Sequence, residues 1–368
     1  MPLRPSRPIP VVLNALHATT GGGLTYLRGI LPELAKEARV RWIVLAPQAA
    51  LEGMEIPANV DVKVAPVLGF AAGHMWEQFV LPFKALGWGA KTIVCNANYT
   101  PLLAWRSIPI LHTTPKAGAS AQSARMRWYW SVLERLTKLS LWNAPYAFAV
   151  AKHVVREYLG EAAAAKVKMV PPGVDAALAD VPVRDPNLVV AVGDFYAHKD
   201  YPQLVRAFGM LRAQRPESRL MIIGRPVDVA VRNEVLNLIR ELKLADAVTL
   251  TGGMPHTLLL QAVARASVFV STSKAETVQI PALEAMAVGT PVVTSDLPHG
   301  EEFVGAAGVL VPVGKGGDVD SAFAVAMYGV LENEALANGL RAKGLERVKS
   351  YTWTKAAATL NAAVLGER

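Results

Sequence analysis

Residues 271–296 read STSKAETVQIPALEAMAVGTPVVTSD. The apolar run before them, Val268-Phe269-Val270, predicts a buried strand that opens into a small polar loop carrying Glu276. Pro281 suits the first position of a helix and disfavours helix before it. A short helix is therefore expected from Pro281, with Glu284 about one turn in and a stop at Gly289, followed by a second apolar strand from Pro291 to Thr294. Glu276 and Glu284 are eight positions apart, about 12 Å if one helix joined them. Pro281 instead leaves Glu276 on the loop. One carboxylate then precedes a helix N-terminus and one lies just inside it, with free backbone N–H groups between them, a setting that attracts phosphate. A carboxylate also accepts well from paired sugar hydroxyls. A ligand with both phosphate and sugar groups fits this arrangement. A plain strand-loop-helix unit with two solvated glutamates fits the same pattern.

Outward from this block the chain alternates strand-like and helix-like runs. In the N-terminal half, strands are expected at Pro10–Leu16, Val40–Ala46, Val60–Ala65, Thr92–Asn96, Ile108–Leu111, Tyr146–Val150 and Lys168–Val170. Helices are expected at Leu24–Glu37, Trp76–Leu86 and Ser123–Ser140. In the second half, strands are expected at 188–192, 219–223, 248–251, 268–272, 291–294 and 308–311. Such alternation predicts an α/β fold of parallel sheets covered on both faces. A chain of 368 residues exceeds the usual single core, so two doubly wound domains facing each other across a cleft are expected. The boundary is placed at Pro171-Pro172-Gly173. Ligands of such sheets bind at the carboxyl ends of strands.

Composition narrows the function classes. One cysteine, Cys95, excludes an internal disulfide and a cysteine metal cluster. No HExxH or paired-His spacing appears, so no metal site is expected. No signal peptide is read at the start and no apolar run is long enough to span a bilayer, so a cytoplasmic protein, soluble or peripheral on the cytoplasmic face of a membrane, is expected. The net charge of +8 is uneven: residues 1–170 hold 19 Lys/Arg and 9 Asp/Glu, a net +10, and the rest nets −2. A basic half suggests an anionic partner.

Three other segments stand at strand ends. Thr19-Thr20-Gly21-Gly22-Gly23 follows the first strand and opens the first helix, where glycines let backbone approach a phosphate. It lacks the third glycine of the dinucleotide fingerprint, and a plain tight turn reads the same. Val192-Gly193-Asp194-Phe195-Tyr196-Ala197-His198-Lys199 follows the first strand of the second half, where Lys199 is either a point charge for a diphosphate or a surface lysine. His112 ends the strand Ile108-Pro109-Ile110-Leu111, a place that equally suits a structural histidine.

The block around Glu276 resembles the Glu-x7-Glu signature of retaining family 4 glycosyltransferases (glycosyl transferases group 1), usually E-G-F-G-L-P-x-L-E-A-M-A-x-G-x-P-V-V. Glu276, Pro281, Leu283, Glu284, Ala285, Met286, Ala287, Gly289, Pro291, Val292 and Val293 are in register. Thr277 and Gln279 replace two glycines. Lys199 matches the lysine of the family's G-R-x-x-x-x-K, but Asp194 stands where the family has arginine. A carboxylate about 4 Å from a phosphate would cost about 4 kcal/mol at an effective dielectric of about 20. Asp194 must therefore point away, or the cation comes from elsewhere, with His198 a candidate. Looser matches are the glycine loop with Tyr26, Pro172-Gly173-Val174-Asp175 between the domains, Gly252-Gly253 beside the nucleotide base, and Tyr351-Thr352-Trp353 opening a last helix.

The resemblance implies a GT-B fold: an acceptor-binding Rossmann-like domain over 1–172, a nucleotide-sugar-binding one over 173–350, and a helix over 351–368 that crosses back to the first. It implies retaining, metal-independent transfer from a UDP- or GDP-sugar to a glycan or a polyprenol- or lipid-linked acceptor, in cell-envelope polysaccharide or glycolipid assembly, with no other cofactor. By the same resemblance Glu284 binds the ribose hydroxyls. Glu276 contacts the donor sugar, near the backbone amides of Thr277, Val278, Gln279 and Ile280. Lys199, with Gly22 and Gly23, neutralises the diphosphate, and His112 contacts the donor sugar. No lone general base is evident, and a donor phosphate oxygen takes the acceptor's proton in the scheme advanced for retaining relatives. A GT-B protein that binds without turnover, and a sugar-nucleotide epimerase, share these motifs.

Residues 123–142, SARMRWYWSVLERLTKLSLW, interleave Arg125, Arg127, Arg135 and Lys138 with Trp128, Tyr129, Trp130 and Trp142. Met126, Trp130, Leu133 and Leu136 suit a buried face. The outward Arg/Trp face suits an anionic membrane or the acceptor, or is simply a solvated face. No nucleic-acid motif accompanies it.

Overall fold

The computed structural model describes residues 7–18, 21–114, 124–160, 166–174, 178, 182–314 and 317–367, without the side chains of 70 and 124–126. The chain divides into two compact units, one of residues 1–173 with 352–368 and one of residues 174–351.

Among the described residues, unit 1 holds seven strands: β1 (Ile9–Asn14), β2 (Val40–Ala46), β3 (Asp61–Val64), β4 (Thr92–Cys95), β5 (Arg106–Leu111), β6 (Ala147–Ala149) and β7 (Val167–Met169), in the spatial order β3-β2-β1-β4-β5-β6-β7. Its helices are α1 (Gly21–Leu34), α2 (Gln48–Leu51), α3 (Phe70–Phe79), α4 (Leu81–Gly87), α5 (Ala124–Asn143) and α6 (Lys152–Leu159). Unit 2 holds β8 (Asp185–Val192), β9 (Arg219–Ile223), β10 (Val248–Gly252), β11 (Ala266–Ser271), β12 (Val292–Ser295) and β13 (Val309–Val311), in the order β10-β9-β8-β11-β12-β13. Its helices are α7 (Tyr201–Gln214), α8 (Val229–Glu241), α9 (His256–Arg265), α10 (Ile280–Ala287), α11 (Pro298–Phe303), α12 (Val319–Glu332) and α13 (Glu334–Val348); α14 (Trp353–Leu365) belongs to unit 1.

Every strand pair is parallel. Parallel strands need crossover helices, and helices on both faces bury both sides of each strand. That is why β2 (VRWIVLA) and β4 (TIVC) read as nearly unbroken apolar runs and are buried almost throughout. The two parallel-sheet units make the GT-B fold.

The expected strands all form. The helix expected over Trp76–Leu86 is instead two, α3 and α4, broken at Val80. Pro82 lies in the first turn of α4; it has no N–H to continue the earlier ladder, and its ring clashes with the carbonyl four residues back. Among the described residues no helix is long and apolar enough to cross a membrane.

Helix α14 packs on α1. Gly29 is the seat: a Cβ there would stand 2.1 Å from the Trp353 ring. Tyr26 meets the same indole edge-on at 5.4 Å. Trp42 Nε1 donates to Asn361 Oδ1 at 3.0 Å, and the Tyr146 hydroxyl donates to the Ala363 carbonyl at 2.7 Å.

Candidate active site

In unit 2 the chain runs from β8 to β9 and β10 at one edge, then returns to β11 on the other side of β8. The switch point between β8 and β11 is where a doubly wound sheet leaves a crevice at the carboxyl ends of its strands. Lys199 ends a single 3-10 turn, Ala197–Lys199, after β8, and Glu276 stands on the loop after β11. Lys199 Nζ lies 2.6 Å from Glu276 Oε1, and both side chains are only 15% exposed. Gly193, at φ +152°, makes room: a Cβ there would stand 2.9 Å from Lys199 Cε. The two loops are tied together by Lys274 N donating to the His198 carbonyl at 2.8 Å and by Thr272 Oγ1 donating to the Lys199 carbonyl at 3.0 Å. Burial pushes the Glu276 carboxyl up, but the Lys199 charge and hydrogen bond, His198 and Ser273 outweigh it and hold it below the usual value. The carboxylate is thus kept ionised inside the crevice.

Asp194 is paired with Arg225. Arg225 Nη2 lies 2.5 Å from Asp194 Oδ2, and the Arg225 backbone amide donates to Oδ1 at 2.9 Å. The two are matched: burial raises the Asp194 pKa, yet the Arg225 hydrogen bonds and charge hold it below the ordinary range. Arg225 follows β9 and passes Gly253, where a Cβ would come within 2.7 Å of Arg225 Cγ. Sequence reasoning missed Arg225. The sign reversal at Asp194 was the available signal, since an unexpected carboxylate at a strand end calls for a cation on the neighbouring one. His198 is pushed the other way: burial lowers its pKa, so it is a poorer cation than Arg225.

Helix α10 begins at Ile280, with Pro281 in its first turn, and Glu284 sits one turn in. Among the described residues no backbone carbonyl accepts from the amides of Thr277, Val278, Gln279 or Ile280. The Gln279 side chain is spent elsewhere; it is buried and its Nε2 donates to Thr294 Oγ1 at 2.9 Å. Glu284 Oε1 lies 2.7 Å from Nε2 of His256, the first residue of α9, another neighbour that spacing did not reveal.

Unit 1 has its own switch point, between β1 and β4. A cavity of about 670 Å³ is lined there by His17 after β1, Gly23 in α1, Asn96 after β4, His112 after β5, and Tyr129 and Trp130 of α5 among others. The His112 amide donates to Asn98 Oδ1 at 2.7 Å, and its ring meets Tyr26 edge-on at 4.9 Å. Burial pushes its pKa down to about 4, so the imidazole is neutral near pH 7. His112 Nε2 and Asn96 Oδ1 are both buried without a hydrogen-bond partner. Two orphaned polar atoms in one cavity wall ask for a ligand with donor and acceptor groups. The cavity's described lining contains no Lys or Arg; its charged lining residue is Glu134. The basic surplus of this half therefore lies elsewhere among the described residues.

Behind His17 stands Glu77, fully buried on α3. His17 Nε2 lies 2.8 Å from Glu77 Oε2, His74 Nδ1 lies 3.9 Å from the same oxygen, and Asn14 Nδ2 donates to Oε1 at 2.5 Å. Burial pushes the Glu77 carboxyl up, but hydrogen bonds with His17, His74 and Asn14 and the charge of His17 bring it below the usual value. This grouping joins residues about sixty positions apart in sequence, so linear spacing could not show it.

Gly22 and Gly23 lie in the first turn of α1. Thr19, Thr20 and Asp175 lie outside the described residues, as does the side chain of Arg125. On α5, Trp128 and Trp142 are 70% and 85% exposed, Arg127, Arg135 and Lys138 are exposed, and Trp130, Leu133 and Leu136 are half-buried. Lys138 pairs with Glu134 at 2.7 Å.

Residues 179–346 match the family model described as glycosyl transferases group 1. Over this stretch the chain is similar to the glycosyl transferases group 1 family. The matched stretch contains Asp194, Lys199, Arg225, Glu276 and Glu284. A phosphatidyl-myo-inositol mannosyltransferase of Mycolicibacterium smegmatis is 30% identical over 217 residues, covering 56% of this chain and 54% of that protein. The chain spans about half the length of the curated relatives it matches. In fold, the chain is similar to a sucrose-phosphate synthase from Thermosynechococcus elongatus (TM-score 0.77, 22% identity, 97% of this chain and 98% of that one). It is also similar to Anabaena HepE solved with UDP and glucose (TM-score 0.72, 16% identity, 97% of this chain and all of that one).

Proposed function

We propose that this chain is a glycosyltransferase that moves a sugar, with retention, from a UDP- or GDP-sugar to a hydroxyl acceptor. The observation that carries the reading is the Lys199–Glu276 pair at the β8/β11 switch point, beside Arg225 and the free amides before α10. Lys199 and the α10 amides receive the diphosphate, and the cation at the strand end is Arg225, carried by Asp194, rather than a residue at position 194. Glu284 takes the ribose hydroxyls and Glu276 those of the donor sugar. In the transfer the bond from the anomeric carbon to the diphosphate oxygen breaks. The acceptor oxygen bonds to that carbon, and its proton passes to a donor phosphate oxygen. Protein cations and helix amides stabilise the departing charge, and preorganised electrostatic stabilisation of this kind usually contributes most to the rate. No divalent ion is needed at the diphosphate.

The acceptor binds in the unit 1 cavity, where Asn96, His112 and aromatic walls suit a polyol. That HepE was solved with UDP and glucose, and that the mycobacterial relative is named for mannosyl transfer to a phosphatidylinositol, supports this donor and acceptor class. The exposed Trp128 and Trp142 suit attachment to the cytoplasmic face of an anionic membrane carrying a lipid-linked acceptor. A binding role without turnover rests on a specific observation too: Lys199, Asp194 and Glu284 are each already paired.

A thermal-shift panel of UDP, GDP, ADP and their sugars tests the donor, because a ligand of the folded state raises its melting temperature. A selective shift together with nucleotide release that depends on an acceptor is expected. Selective shifts without release would favour the binding role, and no shift with any nucleotide would overturn the reading.

A further inference from the structure

We propose that His17, His74 and Glu77 form a binding site for a zinc-class divalent cation in unit 1, opening onto its cavity. This goes beyond the transfer reading, which places no metal at the donor phosphates. His17 stands on the loop after β1, and His74 and Glu77 are one turn apart on α3, so their side chains rise from one face of that helix. The ligand atoms of the three residues all lie within 4.8 Å of one another. A four-coordinate zinc with bonds of about 2.1 Å holds its ligands about 3.4 Å apart. The spacings here, 2.8 Å from His17 Nε2 and 3.9 Å from His74 Nδ1 to Glu77 Oε2, bracket that value.

The donor set is the second argument. Two imidazoles and one carboxylate are a zinc combination, whereas magnesium and calcium prefer oxygen alone. Charge is the third. The carboxylate of Glu77 is fully buried, and its partners are Asn14, His17 and His74; among the described residues no Lys or Arg contacts it. A cation held between the three side chains would complement this buried negative charge. Outer contacts are also in place: Asn14 fixes the far carboxylate oxygen, and the Tyr129 hydroxyl lies 3.4 Å from His74 Nε2, the nitrogen turned away from the site. The Tyr99 hydroxyl, 2.8 Å from His74 Nδ1, would yield that nitrogen to the ion. His17 and His74 both line the cavity, so the remaining coordination position takes an oxygen of whatever fills it, a hydroxyl or a phosphate.

The test uses the full chain without an affinity tag, stripped with chelator. Zn²⁺ is titrated by calorimetry, and Co²⁺ by visible absorption. One equivalent per chain and the ligand-field bands of four-coordinate Co²⁺ are expected. His17→Asn and His74→Asn should each weaken binding more than about tenfold. Glu77→Gln should do the same if it folds; if it does not, the two histidine variants carry the test, with circular dichroism confirming their fold. No binding at micromolar Zn²⁺ would overturn the proposal. So would binding that both histidine variants leave intact. Neither outcome depends on turnover, so a failure here leaves the transfer reading standing, and the reverse also holds.

Discussion

The two units are built on the same doubly wound plan, yet their switch points carry opposite chemistry. At β8/β11 the crevice is walled by charged pairs, Lys199–Glu276 and Asp194–Arg225, with Glu284–His256 nearby. At β1/β4 it is walled by asparagines, tyrosines and neutral His112, with one fully buried carboxylate behind. The topology supplies the crevice in both cases; the residues just past the strand ends decide what it holds. Charged pairs suit a diphosphate that exchanges partners with them, while orphaned polar atoms and aromatic faces suit uncharged hydroxyls. Net charge by halves points the other way, because the basic half is the one whose described cavity lining lacks Lys and Arg.

The largest effect that could break this contrast concerns Lys199. If it meets the diphosphate, Lys199→Ala should lower turnover about 10²- to 10³-fold, the loss seen for one transition-state donor. Steady-state rates at saturating donor check this, and a wild-type rate would remove Lys199 from the chemistry.

His112 offers the next test, on stability. Its imidazole takes a proton near the ordinary 6.5 when unfolded but only near 4 when folded. Its contribution is therefore complete above about pH 6.5 and is lost as pH falls toward 4, up to about 3 kcal/mol in all. His112→Gln should flatten the melting-temperature profile across that window. Parallel wild-type and variant profiles would mean that the ring is not held neutral.

Arg225→Ala and Glu284→Gln should each cost about tenfold or more in donor affinity, since a charge-assisted hydrogen bond contributes roughly 1.5–3 kcal/mol. Calorimetry with the nucleotide decides, and an unchanged Arg225→Ala would return the phosphate cation to Lys199 alone. The smallest effect concerns unit 1. Trp128→Ser with Trp142→Ser should weaken co-sedimentation with anionic liposomes several-fold, and Arg127→Glu should add about 1 kcal/mol of loss that salt also produces. Nucleotide affinity should be unchanged. Liposome binding equal to wild type would reduce the exposed aromatic face to solvated surface.

Much of this was legible in the sequence, because parallel sheets write themselves as apolar runs and because Pro281 fixes where α10 can begin. The loop position of Glu276 and the place of Glu284 one turn into the helix followed from that proline alone. The missing pieces were side chains supplied by neighbouring strands and helices. Arg225 reaches Asp194 from the next strand, His256 reaches Glu284 from the preceding helix, and Glu77 reaches His17 across 60 positions. Periodicity reports which face a residue occupies, not which residue of another element meets it. The break at Val80 was the reverse case, a local signal in Pro82 outweighed by the apolar pattern around it.

The seat of Trp353 on Gly29 also sets an order of events during synthesis. Domains fold as units while the chain emerges, usually from the N-terminus. Unit 1 cannot do so to completion, because the indole that covers Tyr26 and the asparagine that receives the Trp42 N–H are translated after all of unit 2. Of the two units, the one begun earlier is finished later, and until α14 docks, the nascent chain carries an unfinished patch on α1 that α14 closes.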